Sequence, residues 1–413
     1  MRSVSNLIFF TVPETDPLRR FLTAAAKQNR ENAASALAEI FRLGAAEGLR
    51  GNLFQGWLTR TLLLSENSYT LASERSRFVP ESLKKMALWD LEAFFEWFSL
   101  DPAQCADLPA FLLEAASDFS PSERLGSPLA REEVAALTAE LAAAKSAEEF
   151  QEILEAFFAS FGAGKFALYS SFRLGEDGSL LPVCRETGAD LDELVGYEAQ
   201  KEKLLENTEA FLAGRRANNC LLYGEAGTGK STSVRAVVNR YFGRGLRMIE
   251  VYKHQIRLLP KVLSRLGERN YRFILFMDDL SFEEFEVEYK YLKAVIEGGL
   301  EEKPENVLVY ATSNRRHLLR ENIRDNAETE DLHPGDTKEE KLSLSDRFGL
   351  TLYFGSPDKK QFEEIVLTLA RRHGIRKSPE ELIAEAHRFE LRHKGLSGRA
   401  ARQFIDQILA AGE

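Results

Sequence analysis

Leu221-Leu222-Tyr223-Gly224-Glu225-Ala226-Gly227-Thr228-Gly229-Lys230-Ser231-Thr232 is the stretch on which the fold turns. An apolar run closes on the pattern Gly-x-x-x-x-Gly-Lys-Ser/Thr, and a helix-compatible segment follows it. Glycines at 224, 227 and 229 let the backbone turn tightly enough for successive amides to face phosphate oxygens, and the helix behind them adds its positive N-terminal end. Lys230 is then expected on the β and γ oxygens, and the Ser231 hydroxyl on magnesium. The implied ligand is a purine nucleoside triphosphate with Mg²⁺, ATP being the expected one, cradled by residues 224 to 232.

A phosphate-bound magnesium needs a carboxylate held rigidly beside the loop. The apolar run Phe273-Ile274-Leu275-Phe276-Met277 delivers Asp278 and Asp279 at its C-terminal end, where open parallel sheets place their ligands. Asp278 is the candidate magnesium partner, and Asp279, pointing another way from the strand end, the candidate for polarising the attacking water.

Outward from these motifs, residues 191–413 alternate short apolar runs with helical stretches, the signature of a parallel sheet wound with helices on both faces. Five strands are expected, at Cys220–Tyr223, Leu246–Tyr252, Phe273–Asp278, Val307–Thr312 and Thr351–Phe354. Residues 358–413 form three amphipathic helical stretches with no strand between them, broken at Gly374 with Ser378-Pro379 and at Gly395 to Gly398. Before the sheet, residues 1–160 read as a helical accessory domain, with Phe94-Phe95-Trp97-Phe98 as core rather than a ligand site. Residues 161–190 read as an extended hairpin and linker turning at Glu176-Asp177-Gly178, which leaves 191–357 as the α/β domain and 358–413 as a helical lid.

Composition narrows the function classes. Up to residue 190 there are 18 basic against 27 acidic side chains, a balance of −9, and beyond it 36 against 37, or −1. The acidic front half repels phosphate backbones, whereas the back half stays open to nucleic acid. Cys105, Cys184 and Cys220 are scattered without metal-ligand spacing and are expected as structural thiols. The apolar run Leu7-Ile8-Phe9-Phe10 is too short for a signal segment or a membrane span, so a cytoplasmic protein is expected.

With these residues in place, 191–413 resembles the AAA+ ATPases, in strand count, phosphate loop and helical tail. The wording of Asp278-Asp279-Leu280-Ser281-Phe282-Glu283, Ala311-Thr312-Ser313-Asn314-Arg315-Arg316-His317-Leu318 and Leu342-Ser343-Leu344-Ser345-Asp346-Arg347-Phe348-Gly349 is similar to the uncharacterised bacterial AAA+ family called domain of unknown function 815. The resemblance implies an α/β P-loop AAA+ module with a C-terminal helical lid, in which Val195, Gly196 and Tyr197 line the adenine pocket. It implies that Asn314 is the sensor-1 residue orienting the lytic water, that Arg347 is an arginine finger given to a neighbouring subunit, and that Arg399 reaches the γ-phosphate from the lid. The activity implied is Mg-dependent ATP hydrolysis in a homo-oligomeric ring or partial ring that remodels a protein client of unstated identity.

Two departures temper this. Most members carry Glu where this chain has Asp279, one methylene shorter, so slow hydrolysis or a base recruited from Glu283 or Glu284 is an alternative. The segment Lys253-His254-Gln255-Ile256-Arg257-Leu258-Leu259-Pro260 lacks the glycine-flanked aromatic of threading pore loops, so polypeptide translocation is not expected. Two other readings stand beside the ATPase: a nucleotide-gated binding module with little hydrolysis, and a loader of nucleic-acid enzymes. The acidic stretch Glu321 to Glu340 is expected to be a solvated loop, with partner docking as its alternative.

Overall fold

A computed structural model describes residues 2–75, 79–120, 132–183, 190–282, 287–297, 303–315, 318, 347–391 and 395–411. The chain divides into two compact units, one of Met1–Tyr169 with Pro182–Glu186, the other of Ser170–Leu181 with Thr187–Glu413.

The first unit is helical. Asp16, Asn29, Asn52 and Ser146 each accept a backbone N–H in the first turn of the helices Pro17–Ala26, Arg30–Glu47, Leu53–Leu64 and Ala147–Phe161, which is why those helices start there. The helix Glu81–Phe98 buries Phe94, Trp97 and Phe98, so the aromatic stripe is core as expected. Asp90 of the same helix is fully buried, yet it accepts the backbone N–H groups of Ile8, Phe9 and Phe10 at 2.8, 2.7 and 3.0 Å. Those bonds satisfy a carboxylate that burial alone would make costly.

The second unit is built on a seven-stranded sheet of β1 Ser171–Leu174, β2 Leu180–Pro182, β3 Cys220–Gly224, β4 Leu246–Glu250, β5 Arg272–Met277, β6 Val307–Ser313 and β7 Leu350–Phe354. Their order is β2-β1-β4-β5-β6-β3-β7. The five expected strands are all present and pair in parallel. The sheet is nevertheless two strands wider than expected, because the hairpin adds itself to the edge: β1 runs parallel to β4, with Phe172 beside Ile249. Phe172 and Leu174 are buried there, and the turn closes through Gly175 N–H to Ser179 O at 2.8 Å. A strand of four residues does not announce its partner, so local sequence could find the hairpin but not its destination.

Helices cover both faces. The crossover from β3 to β4 runs one way across the sheet and that from β4 to β5 the other, so right-handed connections put Lys230–Tyr241 and Leu259–Gly267 on opposite sides. On the first side Val234, Val237 and Val238 pack with Leu204 and Phe211 against Cys220, Leu222, Ile274, Phe276 and Tyr310. Lys359–Arg372, Pro379–Glu390 and Gly398–Ala411 form the lid, with its own core of Phe362, Val366, Leu382, Ala401, Phe404 and Ile405. Asp358 with Gln361 and Ser378 with Glu381 make reciprocal capping boxes that start the first two. Together this is the α/β P-loop module with a helical lid, preceded by a mainly helical region, that the sequence implies. No helix among the described residues is long and apolar enough to cross a membrane.

Candidate functional site

The phosphate loop leaves β3 at Gly224, whose φ of +133° suits glycine. Gly227 and Gly229, at φ +77° and +92°, complete the turn, and the helix Lys230–Tyr241 starts directly on Gly229. Side chains at these positions would meet close neighbours: a Cβ on Gly229 would lie 2.3 Å from Leu194 Cδ1, and one on Gly227 3.0 Å from Arg399 Cβ. Thr228 steadies the loop by donating its hydroxyl to Glu225 O at 2.8 Å, while Glu225 and Ala226 form its exposed crest. Ser231 and Thr232 open the helix, half-buried.

Lys230 is 7% exposed and reaches back along the loop. Its ammonium donates to Gly224 O at 2.8 Å, Glu225 O at 2.6 Å and Asn314 Oδ1 at 3.2 Å. Burial draws the amine below its ordinary pKa, whereas Asp279, Glu225 and Asp278 push it back up and Arg399 opposes them. Asn314, Asp278, Asp279, Glu225 and Arg399, all candidate site residues, therefore act on one cation.

The acidic pair is held by two strands and the loop helix. Ser231 Oγ and Thr312 Oγ1 both donate to Asp278 Oδ1, each at 2.5 Å. Asp279 has φ +50°, a left-handed backbone, and this turns its carboxylate away from Asp278 toward Asn314, whose Nδ2 donates to Asp279 Oδ1 at 2.7 Å. Aspartate tolerates this region better than most residues. Asn314 thus touches both Lys230 and Asp279. Thr312 carries no expectation from the motifs. It stands on β6 two residues before Asn314, which follows the last residue of the strand, and the period-two spacing of a strand is the signal that could have found it.

The segment before the first helix of the module closes the other side. Tyr197, at φ +61°, lays its ring 4.9 Å from that of Phe354 and donates its hydroxyl to Gly355 O at 2.7 Å. Gly196, at φ +81°, supplies the preceding turn, and Val195 packs against the lid core. From the lid, the Arg399 backbone N–H donates to Gly227 O at 3.2 Å, so the exposed Arg399 side chain starts at the phosphate loop itself.

Arg347 does not join this cluster. Leu350 pairs with Cys220 and Phe354 with Gly224, so Arg347, three residues before β7, lies at the far end of β3 from Lys230. Four residues of strand put about 13 Å between those ends before the lead-in is counted. Ser345 and Asp346 of the same motif, the alternative bases Glu283 and Glu284, the acidic stretch 321–340 and Cys184 lie outside the described residues. Cys220 is fully buried in β3 and Cys105 half-buried.

The donor set suits a magnesium triphosphate. A hydroxyl and a carboxylate at 2.5 Å from each other form a hard-oxygen pair beside an ammonium, within a loop whose turns leave no room for side chains. Ser231 and Asp278 would hold the ion, and Lys230 with the loop amides the phosphates.

No curated protein matches the sequence. Solved structures of the Thermotoga maritima RuvB Holliday junction branch migration motor are similar: one is 17% identical at a TM-score of 0.32, with 53% of this chain and 71% of that chain covered. A point mutant of that protein, also 17% identical over the same shares, scores 0.34. Residues 166–412 match the family described as Protein of unknown function (DUF815), well over half of the sequence, and the chain belongs to that family.

Proposed function

We propose that this protein is a Mg-dependent ATPase of the AAA+ type, which uses ATP hydrolysis to change contacts between its own subunits and so remodel a protein client. The observation that carries the reading is the convergence of Lys230, Ser231, Asp278, Asp279 and Asn314 within one hydrogen-bonded cluster at the C-terminal ends of β3, β5 and β6. Lys230 neutralises charge on the β and γ oxygens. Ser231 and Asp278 would hold the magnesium, which when bound would supply further charge stabilisation. Asp279 accepts the proton as the attacking water's oxygen bonds to γ-phosphorus and the bond to the bridging oxygen breaks, while Asn314 aligns that water. Val195, Gly196 and Tyr197 border the nucleoside, and Arg399 approaches the γ-phosphate from the lid.

Arg347 gives the reading its oligomeric form. Its own nucleotide lies at the opposite end of β3, so its expected target is ATP on a neighbouring subunit. Turnover per subunit should rise with protein concentration through the assembly range, and Arg347→Ala should lower it by about 10³-fold. Mixing Arg347→Ala with Lys230→Ala subunits should restore activity, since one supplies an intact pocket and the other an intact finger. A concentration-independent rate that Arg347→Ala leaves unchanged sinks the trans-acting finger.

The left-handed backbone and short side chain of Asp279 favour one second reading, a nucleotide-gated binding module whose hydrolysis is slow. Turnover measured on Asp279→Glu separates the two. A gain marks the site as a deliberately slow switch. A loss of about 10²-fold is expected if aspartate is the base matched to this backbone.

A further inference from the structure

We propose that Thr312 is the positioning residue that joins the magnesium side of the site to its water side, by holding Asp279 in its left-handed turn while bonding Asp278. The inference rests on the ATPase reading above and adds a residue to which none of the motifs assigns a role.

Three contacts carry it. The Thr312 hydroxyl donates its single proton to Asp278 Oδ1 at 2.5 Å, and its lone pair accepts the backbone N–H of Asp279 at 2.9 Å. The Thr312 carbonyl accepts the N–H of Leu280 at 2.7 Å. One residue of β6 therefore bonds three consecutive residues, 278, 279 and 280, at the point where the chain leaves β5. Thr312 is 1% exposed, so water cannot take over these contacts.

What the contacts maintain is visible in the backbone. Asp279 is one of three non-glycine residues with positive φ among those described, the others being Gln28 and Tyr197. Such a conformation persists only where surrounding bonds over-determine it. Here Asp279 is gripped twice from the end of β6: Thr312 takes the peptide N–H, and Asn314, just past the strand, takes the carboxylate at 2.7 Å. Asn314 alone fixes where the carboxylate ends. Thr312 fixes where it starts, and with it the distance between the base and the magnesium carboxylate, because Asp278 Oδ1 is bonded to the same hydroxyl.

A hydroxyl is required for this, and a methyl is not. Valine at 312 keeps the shape and the strand preference but loses both side-chain bonds. Serine keeps the oxygen and loses only the methyl. The phosphate-binding groups, Lys230 and the loop amides, are untouched by either change, so the effect should fall on the chemical step. A displacement of the base by about an ångström costs on the order of 100-fold in rate.

The experiment is steady-state ATP turnover on the full chain with saturating Mg²⁺, beside calorimetric binding of a slowly hydrolysed ATP analogue, for wild type, Thr312→Val and Thr312→Ser. Thr312→Val should lower kcat by about 100-fold with analogue affinity close to wild type, and Thr312→Ser should recover most of the loss. Should Thr312→Val not fold, Thr312→Ala removes the same oxygen without adding bulk and is expected to show the same split. Equal kcat in Thr312→Val and wild type overturns the proposal, as does a loss that serine fails to rescue or that appears in affinity alone. Wild type that binds the analogue without turning over ATP removes the ATPase reading, and this assignment with it.

Discussion

Lys230→Ala is expected to weaken Mg·ATP binding by at least about 100-fold, or some 3 kcal/mol, the cost of removing a buried hydrogen-bonded charge that faces an anion. Three features put the effect this high. The ammonium is the cation at the mouth of the loop, it is 7% exposed, and its bonds to Gly224 O, Glu225 O and Asn314 Oδ1 already aim it along the phosphate path. Its removal also leaves Asp278 and Asp279, both raising the lysine's pKa through their charge, facing a polyphosphate with one positive neighbour fewer. Lys230→Met keeps the buried stem and discards the charge, so a similar loss in both variants assigns the effect to electrostatics rather than packing. Calorimetry with a slowly hydrolysed analogue reads the affinity directly, and Lys230→Ala protein that binds within threefold of wild type would dispose of the phosphate-loop assignment.

Gly224→Ala should be the most damaging of the small substitutions. At φ +133° a side chain is strained whatever the space, and here the space is absent as well, because a Cβ would stand 2.1 Å from Phe354 O and 2.7 Å from its carbonyl carbon. Both atoms are backbone, so β7 must be pushed off β3. That motion breaks the bond from Glu225 N–H to Phe354 O at 3.0 Å and moves the ring on which Tyr197 rests. A loss of about 3 kcal/mol, or roughly 6–12 °C in Tm for a domain of this size, is expected, together with loss of nucleotide binding. Gly243→Ala is the matched control: nothing lies within 4 Å of its Cβ and its φ is ordinary, so its Tm should change by at most a degree or two. Equal melting of Gly224→Ala and wild type would show that β7 can give way.

The parts of the site legible in sequence are those whose chemistry demands neighbours in the chain. A phosphate loop needs its glycines, lysine and hydroxyl at fixed spacing, and a strand that must end beside it can be recognised by its apolar run and closing carboxylates. Asp278 and Asp279 were placed in this way and Asn314 by the resemblance to the AAA+ ATPases, and the structure brings Asp278 to Ser231, Asn314 to Lys230 and Asp279 to Asn314. Thr312 was not, because its importance comes from register: it matters only once β6 is known to lie beside β5, with Met277 paired to Ala311. The left-handed turn at Asp279 was hidden for a related reason, being imposed by those cross-strand bonds on a residue whose own preferences merely permit it. The same distinction explains the hairpin, whose turn is written in Glu176-Asp177-Gly178 but whose pairing with β4 depends on an edge formed by residues far along the chain.

That pairing bears on how the protein can be dissected. A fragment begun at Leu191, where the composition changes, would lack β1 and leave the outer rim of β4 with unsatisfied amides and carbonyls. Glu250, which is 8% exposed and ion-paired to both Arg235 at 3.0 Å and Arg173 at 3.4 Å, would keep only the first of those cations. Bare rims of this kind recruit strands from other molecules, so such a fragment invites precipitation, whereas one begun at Ser170 carries its own selvedge.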